Sequence, residues 1–239
     1  MRATMPISHL MILAAALLLG SGPDVFGQAE MNATGSLRGI RVDGELMAFR
    51  TGIRAVTDDA PQAGPGRGGP GGQFSRDGNT LMTRGSLTGG AGGPGGMPGR
   101  GGPGAAGTSY QATFRDVAPG VVDAQVQITS SVDAPMVGVY FSITLRGTDY
   151  AGGTAQLIDS VAPAAPVSLA ATRPAAANTY LRAAAKGVHI AAPRRQLEIT
   201  LATAQEVVVQ DSRGRGNGDI EITFPLSLGK LIAGQTARS

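Results

Sequence analysis

The stretch Val121–Leu145, VVDAQVQITSSVDAPMVGVYFSITL, alternates apolar and polar residues in two runs. Val122, Ala124, Val126 and Ile128 are apolar, and Asp123, Gln125, Gln127 and Thr129 between them are polar. After a polar link, Val137, Val139, Phe141, Ile143 and Leu145 alternate with Gly138, Tyr140, Ser142 and Thr144. A period of two sends successive side chains to opposite faces of a sheet, one to a core and one towards water. The link Ser130–Pro135 carries Ser, Asp and Pro, which suit a turn, so the two runs are expected to pair as an antiparallel hairpin.

The same pattern recurs along the chain. Leu37–Val42 and Glu45–Val56 flank Asp43-Gly44, a two-residue hairpin signal because both positions tolerate positive φ. In the second arm Met47, Phe49, Ile53 and Ala55 share one parity, while Arg50 and Arg54 share the other and are expected to face solvent. Thr80–Ser86 follows a turn at Arg76–Asn79, and Tyr110–Val117 alternates again. Further strands are expected at Thr154–Ile158, Val167–Leu169, Val188–Ile190, Leu197–Leu201, Val207–Val209 and Ile220–Phe224. Ala183-Ala184-Ala185 favours a helical turn within Thr179–Ala192. About ten to twelve short strands without amphipathic helices predict an all-β fold, an antiparallel, jelly-roll-like β-sandwich.

Two segments break this pattern. Arg2 followed by the apolar run Leu10–Leu19 and small residues reads as a signal peptide over residues 1–29. Val25-Phe26-Gly27 and Gly27-Gln28-Ala29 both suit a signal peptidase. The apolar run is too short to span a bilayer, and no later segment does so; the mature chain is expected to be secreted or periplasmic. Residues 60–107 hold two Gly/Pro-rich tracts with too little apolar surface to offset backbone entropy, read as disordered loop expansions. The rest, residues 30–239, is expected to be one sandwich domain. The chain of 239 residues has no cysteine, which excludes disulfides and thiolate metal sites.

Residues that could carry chemistry are sparse. His189 is the one histidine outside the signal segment, and its neighbours Val188 and Ile190 put it on a polar face without partners for a metal site or a triad. No G-x-S-x-G elbow occurs. Paired carboxylates would serve glycoside hydrolysis, with Asp43, Asp116, Asp123, Asp133, Asp149, Asp159, Glu198, Glu206, Asp211, Asp219 and Glu221 available, but no spacing selects a pair. Asp211–Asp219 has acids for calcium, but Arg213 and Arg215 oppose a cation. A net charge of +3, with Arg67 and Arg100 alone in the Gly/Pro tracts and no interleaved aromatics, argues against nucleic acid. No metal or other cofactor is expected. There is no Trp, and of the four tyrosines Tyr140 falls on the polar parity of its strand and Tyr150 in a loop, so these two are the candidate aromatic platforms for a sugar.

At Asp149–Gly153 a strand ending in Leu145 is followed by DYAGG and then by Thr154–Ile158. With the opening GSLRGIRVDGELMAFRTGIRAV and the late VVVQDSRGRGNGDIEITFPLSLGKLIAG, this resembles the N-terminal β-sandwich domains of secreted bacterial glycoside hydrolases and related polysaccharide-degrading proteins. The resemblance covers most of residues 34–232 and rests on turns and strands. It implies an accessory, non-catalytic module that binds polysaccharide weakly or packs against a catalytic glycosidase domain, with Tyr140, Tyr150 and Asp149 as candidate ligand contacts. It brings no catalytic residue with it. A glycosidase using an Asp/Glu pair and a structural or adhesive envelope protein are the competing expectations.

Overall fold

The computed structural model describes residues 11–16, 28–56 apart from 34, 73–87, 107–133, 136–160, 165–213 apart from 173 and 177, and 219–238 apart from 235. Fifteen strands and one helical turn occupy them. These are β1 (Met11–Ala16), β2 (Ala29–Met31), β3 (Leu37–Val42), β4 (Glu45–Val56), β5 (Gln73–Asp77), β6 (Thr80–Ser86), β7 (Thr108–Ala118) and β8 (Val121–Ser130). There follow β9 (Gly138–Arg146), α1 (Gly147–Tyr150), β10 (Thr154–Ile158), β11 (Val167–Ser168), β12 (Asn178–Ala192), β13 (Arg195–Asp211), β14 (Asp219–Leu228) and β15 (Thr236–Arg238). Asp43 and Gly44, at φ 48° and 81°, make the turn between β3 and β4. The Gly/Pro tracts within 60–107 lie outside the described residues, as do His9 and the residues around the first predicted peptidase site up to Gly27.

Pairing is antiparallel throughout, and two sheets pack face to face. One runs β2-β3-β4-β9-β14-β13, continuing through β12 to β10 and β11. The other runs β8-β7-β6-β5, with β15 on β8. Strand β1, the centre of the predicted apolar signal run, lies between them, paired to Gln196–Leu201 of β13 and Val121–Ala124 of β8.

The predicted hairpin between the two alternating runs does not form. Val121–Ser130 pairs with β7 across the Gly120 turn, whereas Gly138–Arg146 pairs with β4 and β14. The link between them passes from one sheet to the other. Periodicity fixes which face a strand buries, but it does not name the neighbour. The alanine run is likewise not helical: Asn178–Ala192 is continuous strand, with a register shift between Ala185 and Gly187. A Cβ on Gly187 would lie 2.0 Å from the Ile199 carbonyl oxygen, so only glycine fits there.

The core fills the space between the sheets. Leu81, Phe114, Val122, Val126 and Ile128 from one sheet meet Phe141, Ile143, Leu145, Ile199, Ile220, Ile222 and Phe224 from the other, all within one buried cluster. Phe141 and Phe224 are cross-strand partners whose rings stack at 5.4 Å between centroids. The central strands β9 and β14 are buried on both faces. Their second face holds polar side chains, and there the functional question lies.

Candidate functional site

Register places three rows of side chains on the face of β4, β9 and β14 turned away from the core. Arg54, Tyr140 and Pro225 form the first, Gly52, Ser142 and Thr223 the second, and Arg50, Thr144 and Glu221 the third. Asp219 stands beside Glu221, one strand repeat further on, opposite Arg146. Gln210 and Val208 of β13 extend the last two rows. By strand geometry the patch measures roughly 13 Å along the strands and 14 Å across them. Gly52 leaves a notch between two arginines, and a Cβ there would lie 3.1 Å from Ser142 Oγ.

The electrostatics of this face are unbalanced in a specific way. Asp219 accepts a hydrogen bond from the Arg50 guanidinium. Glu221 is 7 % exposed, yet its Oε1 has no hydrogen-bond partner among the described residues. The same holds for Arg54 Nε. A buried polar atom without a partner is costly, and both atoms are closed to solvent, so they weigh on the fold rather than meet a ligand directly. Sequence parity put Glu221 on the outward side but could not show that neighbouring strands bury it. Arg54, expected to face solvent, is half-buried.

The predicted site residues do not gather. Tyr140 is on this face, half-buried, with its ring edge over Gly138, where an added Cβ would lie 3.3 Å from Cε2. Tyr150, expected as a second platform, is 1 % exposed and belongs to the core. The turn α1 folds its ring inward, and burial pushes its hydroxyl up to about 12. Asp149 is occupied by Arg195, whose Nη1 donates to its Oδ2 at 2.7 Å while Nη2 donates to Glu45 Oε1 at 3.0 Å. Tyr140 also sits about 20 Å along β9 from the strand end that leads to Asp149. Asp149 therefore anchors the turn after β9, and no shared surface joins it to Tyr140.

Other acids have defined structural work. Asp211 is fully buried and takes hydrogen bonds from Arg213 Nε, Nη2 and backbone N–H and from Tyr180 Oη. Burial raises its carboxyl, but these donors outweigh it and hold it below the ordinary carboxylate value. Arg213 also donates to the Ala170 carbonyl, and Ala170 N–H donates to Tyr180 Oη, so the network ties the strand β11 region to β12 and β13. Burial pushes the Asp123 carboxyl up despite Arg115 at 3.4 Å. His189 is half-buried between Gln156 and Glu198 on neighbouring strands. Among the described residues no three His, Asp or Glu side chains group as a metal site.

Two surface features had no sequence signal. Phe74 is 49 % exposed on the edge strand β5, beside a shallow depression shared with Gln73, Ser75, Met82 and Arg84. Val132, Val137, Leu228 and Ile232 are exposed at one end of the sandwich, where Gly229 N–H donates to the Val137 carbonyl and Lys230 pairs with Asp133 at 2.8 Å. Phe74 lies on a segment whose parity gives no orientation, whereas Val137, which shares the apolar parity of Val139, is 42 % exposed because the strand begins only at Gly138. No protein-family model, curated protein or solved structure matches this chain.

Proposed function

We propose that this chain is an exported, non-catalytic β-sandwich module that binds a polysaccharide on the outer face of β4, β9 and β14. The observation that carries the reading is the polar outer face itself, where half-buried Tyr140 stands in register with Arg54, beside Ser142, Thr144 and Thr223. A sugar hydroxyl both donates and accepts, so a glycan can pair with the hydroxyl and guanidinium groups that this face presents. Tyr140 supplies apolar ring surface and a hydroxyl at the edge of the same patch. The size of the patch suits a short oligosaccharide segment.

Asp219 and Glu221 are two residues apart on one strand, hence about 7 Å between Cα atoms. That spacing invites a hydrolase reading. Arg50 occupies Asp219, which leaves one uncommitted carboxylate where a glycosidase uses two. Binding is therefore the better reading. The apolar end formed by Val132, Val137, Leu228 and Ile232 supports the companion idea that the module packs against a catalytic domain.

Affinity electrophoresis against a panel of soluble polysaccharides tests the binding reading. At least one gel should retard the protein, with retardation lost in Tyr140→Ala and reduced in Glu221→Gln, while Phe74→Ala leaves it unchanged. Free migration on every gel would remove the proposal. Release of reducing sugar that disappears in Glu221→Gln would replace it with the hydrolase.

A further inference from the structure

Gln28 and Ala29 are docked more firmly than the start of an edge strand requires. Gln28 is 7 % exposed and Ala29 1 %. The Gln28 N–H donates to Asp116 Oδ2 at 2.9 Å, and the Ala29 N–H donates to Asp116 Oδ1 at 3.0 Å. The Gln28 carbonyl accepts from Arg41 N–H at 2.8 Å. Its side-chain oxygen accepts from Gly120 N–H, and the Ala29 carbonyl accepts from the Arg76 guanidinium. Asp116 is itself 2 % exposed and fixed from behind, since Asn79 Nδ2 donates to its carbonyl at 3.0 Å.

We infer that the structure selects between the two peptidase sites in the sequence: the mature chain begins at Gln28, and its new amino group is seated on the buried carboxylate of Asp116. The inference rests on the export half of the functional proposal and is independent of the glycan half. Hydrolysis of the Gly27–Gln28 bond adds water across one amide, leaving a carboxylate on Gly27 and a protonated amine on Gln28. Every contact just described survives that cut. The neutral N–H at Asp116 Oδ2 becomes an ammonium, which pairs a buried anion with a cation through a charge-assisted hydrogen bond.

Cutting after Ala29 instead would delete both backbone donors that reach Asp116 from Gln28 and Ala29. It would also remove the residue whose pairing with Ile40 begins β2. Gln28 has a further property. An amino-terminal glutamine cyclises when its amine attacks its own side-chain amide and expels ammonia. With the side-chain oxygen held by Gly120 and the amine held by Asp116, the two groups are kept apart, and the terminus stays open.

The full chain, expressed in a bacterial host with an export pathway, gives the test. Amino-terminal sequencing and intact mass of the exported protein should show a free Gln28. A mature start at Glu30 would overturn the inference while leaving export intact. An unprocessed chain that keeps Met11–Ala16 would overturn the inference together with the export proposal on which it rests. A chain starting at residue 28 but lighter by one ammonia would overturn the ammonium–carboxylate pair. Labelling with an amine-acylating reagent supplies the second measurement. The Gln28 amine should react more slowly in the native protein than in urea, and Asp116→Asn should remove that protection. Equal labelling of the native and unfolded wild-type protein would refute the docked terminus.

Discussion

Arg195 Nη1 stands 2.7 Å from Asp149 Oδ2, joining the start of β13 to the turn that follows β9. Both side chains keep about a fifth of their surface in water, and Arg195 has a second partner in Glu45. The pair is accordingly worth roughly 0.5–1 kcal/mol. Asp149→Ala should lower stability by that amount in a urea melt, with the difference shrinking at high salt, and should leave polysaccharide retardation unchanged. Loss of retardation without loss of stability would return Asp149 to the ligand site.

Tyr150 makes the fold sensitive to alkali. Burial raises its hydroxyl from an ordinary 10.0 to about 12. Between those values the unfolded chain has lost this proton and the folded chain has kept it, so stability falls as pH rises. The stabilisation is complete below pH 10 and gone above about pH 12. Two units amount to about 3 kcal/mol. Tyr110 and Tyr180 are raised by burial too and act in the same direction. Urea melts at pH 8 and pH 11 should show a smaller drop in Tyr150→Phe than in the wild type.

Asp211 and Arg213 form a buried ion pair, with side chains 0 % and 7 % exposed. Removing one member leaves the other charge buried alone, so Asp211→Ala should cost about 3–5 kcal/mol. Because the folded carboxyl is held below its unfolded value, its contribution is present above about pH 4 and disappears as pH falls through the folded value. The stability gap between wild type and Asp211→Ala should therefore close on acidification. A gap that stayed constant from pH 7 to pH 2 would contradict this.

Gly153, the last residue of DYAGG, lies against β12. A Cβ there would be 2.2 Å from the Ala191 carbonyl oxygen, which is backbone and has no rotamer to yield. Gly153→Ala should destabilise by about 1–3 kcal/mol as the strands part. Gly44→Ala, in a turn with open space around it, should cost less and through its φ of 81° rather than a clash. Equal melting points for the two variants would show that the close approach is absent.

Side-chain parity carried the fold a long way. Leu37–Val42, Glu45–Val56 and Thr80–Ser86 form strands over the predicted spans, and Val126 and Val139 are buried as alternation demands. Where strands meet was less legible. The partner of Val121–Ser130 is settled by the Gly120 turn and those of Gly138–Arg146 by residues 73 to 96 positions away in β4 and β14, which local pattern does not encode. The candidate site divided along the same line. Tyr140 lies on the outer face, as parity expects, whereas Tyr150 followed no period and Glu221 required knowing that its outward neighbours close over it. Asp116 looked like one acid among many until chain-distant Gln28 was seen on it.

If the residues before Gln28 are removed as proposed, the position of β1 makes the chain before and after that cut different objects. With Met11–Ala16 in place, hydrogen bonding runs unbroken from one sheet to the other, as in a zipped seam. A chain starting at Gln28 has that seam open: the amides along Val121–Ala124 and along Gln196–Leu201 that point to β1 exchange with water, their alternates stay paired to β7 and β12, and the halves are held by the side chains between them. Export would then coincide with a change from one continuous sheet to two plates, legible as deuterium uptake at the amides of those two short rows that face β1.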